Sequence, residues 1–78
     1  MEFVLVEDKP KTQVWSVVSK EHYFPLGTIK WFGRWRQYAF FPEADTVFNK
    51  DCLDDLRVFI ADLMLKRKEA GRAKIPHR

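Results

Sequence analysis

L-G-T-I-K-W-F-G-R-W-R-Q-Y-A-F-F-P, from Leu26 to Pro42, reads as a single β-hairpin. Trp31, Trp35, Tyr38 and three phenylalanines crowd into it, with Lys30, Arg34 and Arg36 threaded between them. Phe32-Gly33-Arg34-Trp35 fits a two-residue loop with Gly33 at the first central position of a type II′ turn, where positive φ is needed. That turn sets Trp31 opposite Arg36, Lys30 opposite Gln37 and Ile29 opposite Tyr38. Side chains alternate across a strand, so the register sorts them into two faces. Ile29, Trp31, Tyr38 and Phe40, ending in Arg36, make a nearly wholly apolar face that is expected to meet the core. Thr28, Lys30, Gln37 and Ala39, flanked by Phe32, Trp35 and Phe41, make a mixed face that is either solvated or used.

Three further stretches surround the hairpin. E-F-V-L-V-E at Glu2–Glu7 and T-Q-V-W-S-V-V-S at Thr12–Ser19 read as strands, with Trp15 turned inward. Asp8-Lys9-Pro10 breaks the chain between them. From Lys50 to Ala70, Leu53, Leu56, Phe59, Ile60, Leu63 and Met64 recur at helical spacing. Asn49 is placed to cap this helix, with Phe48 and Leu53 as a hydrophobic staple and Gly71 as the C′ residue. Early Asp51, Asp54 and Asp55 and late Lys66, Arg67 and Lys68 complement the helix dipole. The expected fold is α+β: a four-stranded antiparallel sheet, β-β-β-β-α, with one C-terminal helix on its apolar face. Residues 1–71 form one domain and residues 72–78 a basic, disordered tail.

Seventy-eight residues support a single small core, with net stability of about 3–5 kcal/mol. One cysteine excludes an intrachain disulfide and suits a reducing cytoplasm. No apolar run reaches the length of a membrane span, and no signal peptide is expected. The net charge of +3 conceals polarity: residues 9–41 and 66–78 are basic, whereas the acids gather between Glu43 and Asp62.

Little in the sequence points to catalysis. Cys52 sits at helix position N3, where a thiol can be activated, but no histidine is near it in sequence. His22 and His77 are too few for a zinc site. Asp51, Asp54 and Asp55 match no calcium loop. No phosphate-binding glycine loop or nucleophile elbow is present. The expectation is a non-enzyme without cofactor or metal.

Two readings of the hairpin stand side by side. In one, Trp31, Tyr38 and Phe40 are core, Arg36 packs on Trp31 as a cation–π pair, and Lys30 and Gln37 are solvated. In the other, Lys30, Phe32, Arg34, Trp35 and Gln37 form a binding surface, since aromatics and Arg are enriched at interface hot spots. Val58, Ala61 and Leu65 form a second apolar strip on the helix, a contact for a partner or a second copy. Flat rings beside bases also suit nucleic acid, with Lys30, Arg34 and Trp35 in the sheet and Arg72, Lys74 and Arg78 in the tail as its contacts.

The run G-T-I-K-W-F-G-R-W-R-Q-Y-A-F-F-P-E-A-D-T-V-F-N, Gly27 to Asn49, resembles a small group of hypothetical proteins encoded by phages, prophages and other mobile elements of Gram-negative bacteria. The resemblance carries no catalytic residues over. It implies a bacterial cytoplasm and an accessory protein that binds a host protein or nucleoprotein as regulator or inhibitor, defence systems such as CRISPR complexes included.

Overall fold

The computed structural model describes the backbone of residues 1–73 and the side chains of residues 1–68. Four strands, β1 (Glu2–Asp8), β2 (Gln13–Val18), β3 (Pro25–Phe32) and β4 (Gln37–Pro42), precede one helix, α1 (Lys50–Ala73). The strands form an antiparallel meander in the order β1-β2-β3-β4. The expected α+β architecture is the one observed.

The core lies between one face of the sheet and α1. Val17 and Ile29 have no solvent exposure, and Tyr38, Leu56 and Leu63 are nearly as buried. Phe3, Trp15, Trp31, Phe40, Phe59, Ile60 and Met64 pack around them. Aromatic geometry organises this layer. The Phe59 ring stacks on Phe3 at 4.0 Å and meets Trp15 edge-on at 5.0 Å, tying the helix to β1 and β2. On the β3–β4 side, the Tyr38 amide donates to Met64 Sδ at 3.4 Å. Trp31 and Tyr38 pack edge-to-face at 5.5 Å.

The hairpin turn differs from the expectation. The loop holds four residues, Gly33 to Arg36, and Phe32 faces Gln37, Trp31 faces Tyr38, and Ile29 faces Phe40. Trp35 and Arg36 both donate backbone hydrogen bonds to the Phe32 carbonyl, at 3.1 and 2.9 Å. Gly33 does not adopt positive φ; Arg36 does, at 57°. The longer loop pairs Trp31 with Tyr38 and so gains their ring contact. The register moves by two residues, an even number, so every side chain keeps its expected face.

Two other expectations are corrected at α1. Leu53 is exposed rather than part of the stripe. It lies about 9 Å before Phe59 along the helix, and Phe59 already meets Phe3 in the last inward row of the sheet, so no strand lies beneath Leu53. Phe48 packs edge-on against Phe40 at 5.3 Å. Gly71 lies inside the helix rather than after it. Arg72, Ala73 and Lys74 are good helix formers, and the first hard stop in the sequence is Pro76. Arg72 and Ala73 therefore belong to α1, and the rest of the expected tail, residues 74–78, lies outside the described residues. The expected N-cap is observed: the Cys52 amide donates to Asn49 Oδ1 at 2.9 Å.

Two glycines make opposite predictions. A Cβ on Gly27 would sit 2.5 Å from the Phe40 ring and 2.7 Å from the Phe41 carbonyl oxygen, a backbone atom. Gly27→Ala is expected to lower stability by about 1–3 kcal/mol in urea unfolding. Gly33 has open space around its Cβ position and no positive φ. Gly33→Ala is expected to raise stability by about 0.4–1 kcal/mol; a loss of that size would instead indicate the II′ turn.

Candidate docking surfaces

The opposite face of the sheet has no second layer among the described residues. Its rows follow from the pairing: Val4, Ser16, Thr28 and Phe41 lie side by side, Lys30 beside Ala39, and Phe32 beside Gln37. Phe32 is the hub at the β3–β4 end. Trp35 meets it edge-on at 4.7 Å and Phe41 at 6.0 Å. Lys30 Nζ stands 4.7 Å from the centre of the Phe41 ring. Trp35 is 62% exposed despite its contact with Phe32. Arg34 and Gln37 are exposed at the tip and beside it. The structure thus brings Lys30, Phe32, Trp35 and Gln37 onto one surface, with Arg34 at its rim.

Val58 and Leu65 are exposed, as expected, but they lie on α1 in the other layer. They are not continuous with the hairpin's open face. Leu65 instead lines a groove of about 520 Å³ with Trp31, Arg36, Met64, Arg67 and Lys68. The cation over Trp31 is a further correction. Arg67, not Arg36, covers the indole, at 4.1 Å. Arg36 is held in the left-handed region and stays exposed, so its side chain borders the same groove without taking the ring.

A second groove, about 440 Å³, opens on the other side of Arg67. Lys9 and Lys11 from the β1–β2 turn line it with Tyr38, Leu63, Lys66 and Arg67. The Gln13 amide donates to Tyr38 Oη at 3.0 Å at its base. Asp8 and Gln13 also line it, the Gln13 side chain donating to the Asp8 carboxylate and accepting from the Trp15 indole N–H, both at 3.1 Å. The reading of the sequence did not join Lys9 and Lys11 to this end of the helix. The signal was available: in an antiparallel meander, the first and third turns and the end of a returning helix share one end of the molecule.

The other candidate residues do not assemble. His22 stacks on Phe24 at 6.0 Å, in a surface turn. Cys52 is half-buried, and Asp54 pairs with Lys50 at 2.9 Å. Among the described residues, no three His, Cys, Asp or Glu side chains converge on a point. No described helix is long and apolar enough to cross a membrane. Arg72 lies within α1, whereas Lys74, His77 and Arg78 lie outside the described residues.

No family model matches the chain, and no solved structure matches it. One relative is the "Uncharacterized 9.3 kDa protein" of Acholeplasma phage L2, 36% identical over 59 residues, which span 76% of each chain. The chain belongs to the family of this phage protein. For this phage-family member, the even register shift matters more than the turn type, because it leaves the aromatic cluster on the open face.

The geometry at Trp31 separates the two arginines. Replacing Arg67 by Ala is expected to cost about 0.5–1 kcal/mol through the lost cation–π contact. Arg36→Gly relieves a left-handed residue and is expected to raise stability by up to about 1 kcal/mol. Urea unfolding of both variants checks the assignment; if Arg36→Gly is the damaging change, Arg36 is the ring's partner.

Proposed function

We propose that this phage-family chain is a small non-enzymatic binding protein that docks on a host protein or nucleoprotein and regulates or inhibits it. A host defence complex is one such target. The observation that carries the proposal is the unroofed sheet face, where exposed Trp35 clusters with half-buried Phe32 and Phe41, and Lys30 lies over the Phe41 ring. Large rings held by each other lose little freedom on binding, and aromatic anchors beside a cation are typical interface hot spots. Sheet pairing holds Phe32 and Phe41 in place. Trp35 is the anchor on the loop. Val58 and Leu65 supply a second contact on the helix layer for a partner that wraps the edge.

The phage relative supports the setting: such chains work inside a host and gain from acting on its machinery. Direct contact of the open face with nucleic acid is the competing reading. On that face, however, only Lys30 and the rim residue Arg34 carry positive charge, which favours a protein surface.

Immobilised wild-type protein is expected to retain a specific host protein from lysate. Trp35→Ala and Lys30→Glu are expected to reduce that retention by tenfold or more, a loss of about 1.4 kcal/mol or greater. Both variants should keep the wild-type circular dichroism spectrum, and the retained protein should bind again when purified. Retention that is absent, or unchanged in both variants, overturns the proposal.

A further inference from the structure

The charges sort between the two ends of the sheet. Lys9, Lys11, Arg34, Arg36, Lys66, Arg67 and Lys68 occupy the end formed by the β1–β2 turn, the β3–β4 loop and the later part of α1. Glu7, Asp8 and Asp62 are the carboxylates there among the described side chains. Residues 19–24, residues 43–49 and the start of α1 form the opposite end, with Glu21, Glu43, Asp45, Asp51, Asp54 and Asp55 against Lys20 and Lys50.

Within the basic end, Lys9 pairs with Glu7 at 3.4 Å and Lys66 with Asp62 at 3.1 Å. Lys11, Arg36, Arg67 and Lys68 form no ion pair among the described residues. Those four cations come from three separate elements. Arg67 is pinned on Trp31 between two grooves that it borders in common. The pair of grooves, parted by Arg67, makes a cationic trough with Lys11 in one half and Arg36 and Lys68 in the other.

A trough with cations on both walls suits a polymer of anions. The β1–β2 and β3–β4 turns are about two strand spacings, or about 10 Å, apart. Phosphates of one nucleic-acid strand recur at about 3.4 Å of rise, so about three fit that span. Arg36 occupies left-handed backbone and lines the trough from the β3–β4 loop. A lipid surface fits less well, because interfacial binding needs one broad apolar face to insert, and the exposed apolar side chains at this end, Val6, Trp35 and Leu65, stand on three separate elements.

We infer that this end of the molecule is a second binding site, for the phosphodiester backbone of a nucleic acid, with Lys11, Arg36, Arg67 and Lys68 as its principal contacts. It stands apart from the sheet-face reading, since different side chains line the two surfaces.

Fluorescence anisotropy tests it on the full chain with a labelled single strand of ~20 nucleotides and with the matching duplex, between ~50 and ~200 mM salt. Binding is expected to weaken with salt at a log–log slope of about −2 to −3, as for three or four phosphate contacts. The tighter of the two probes identifies the source of the backbone. Lys11→Glu with Lys68→Glu is expected to lower affinity tenfold or more. Lys20→Glu with Lys50→Glu changes net charge equally at the far end and is expected to alter affinity less than twofold. Lys11→Gln with Lys68→Gln should reproduce the loss at smaller size if the reversed charges disturb folding. Absence of binding at the lowest salt overturns the inference. So do equal losses from the two glutamate pairs, or binding confined to vesicles of phosphatidylcholine and phosphatidylserine.

Discussion

Phe59 pressed between Phe3 and Trp15 is the contact on which the molecule depends. It joins the helix to the first two strands, while Met64 and Arg67 join it to the last two. Antiparallel pairing alone would leave both sides of the sheet uncovered. One helix can cover only one of those sides, so the choice of face decides what the other side offers to the surroundings. Val17 and Ile29 mark the covered side; Thr28, Lys30 and Phe32 mark the open one. The proposed docking face is therefore a consequence of one-sided packing.

Much of this was readable from residue order. Alternation in β3 and β4 named the inward rings, and helical spacing named Leu56, Phe59, Ile60, Leu63 and Met64. Asn49 announced the helix start. The misreadings have local causes. Gly33 resembles a turn residue, but the pairing of Trp31 with Tyr38 outweighs a two-residue loop, and Arg36 takes the left-handed position instead. Leu53 has the right helical phase but lies beyond the end of the sheet, a matter of relative length that periodicity does not encode. Arg67 captured Trp31 because the helix returns beside the β3–β4 hairpin, with Met64 on Tyr38, which no pattern within the hairpin reveals.

The candidate surfaces were legible to different degrees. The open face follows from two-residue alternation, which sets Lys30, Phe32 and Gln37 on one side of the hairpin. The basic end combines residues from positions 9 to 68, and only topology joins them. A chain related to a phage protein of similar size thus carries two chemically distinct surfaces. One is a ring cluster on a pleated face, and the other a cationic trough at the end of the sheet.

The irregularity in β1 has a consequence of its own. Between Leu5 and Glu7 the pairing with β2 slips, so Val6 is an extra residue in an outer strand. An outer strand presents unpaired amides and carbonyls that could recruit the same strand of another molecule. The slip twists that border, and Glu7, Asp8 and Lys9 place charge along it. At the far border, β4 ends on Pro42, which has no amide to offer. Both borders of a sheet rich in strand-forming residues thus carry features that disfavour edge-to-edge pairing.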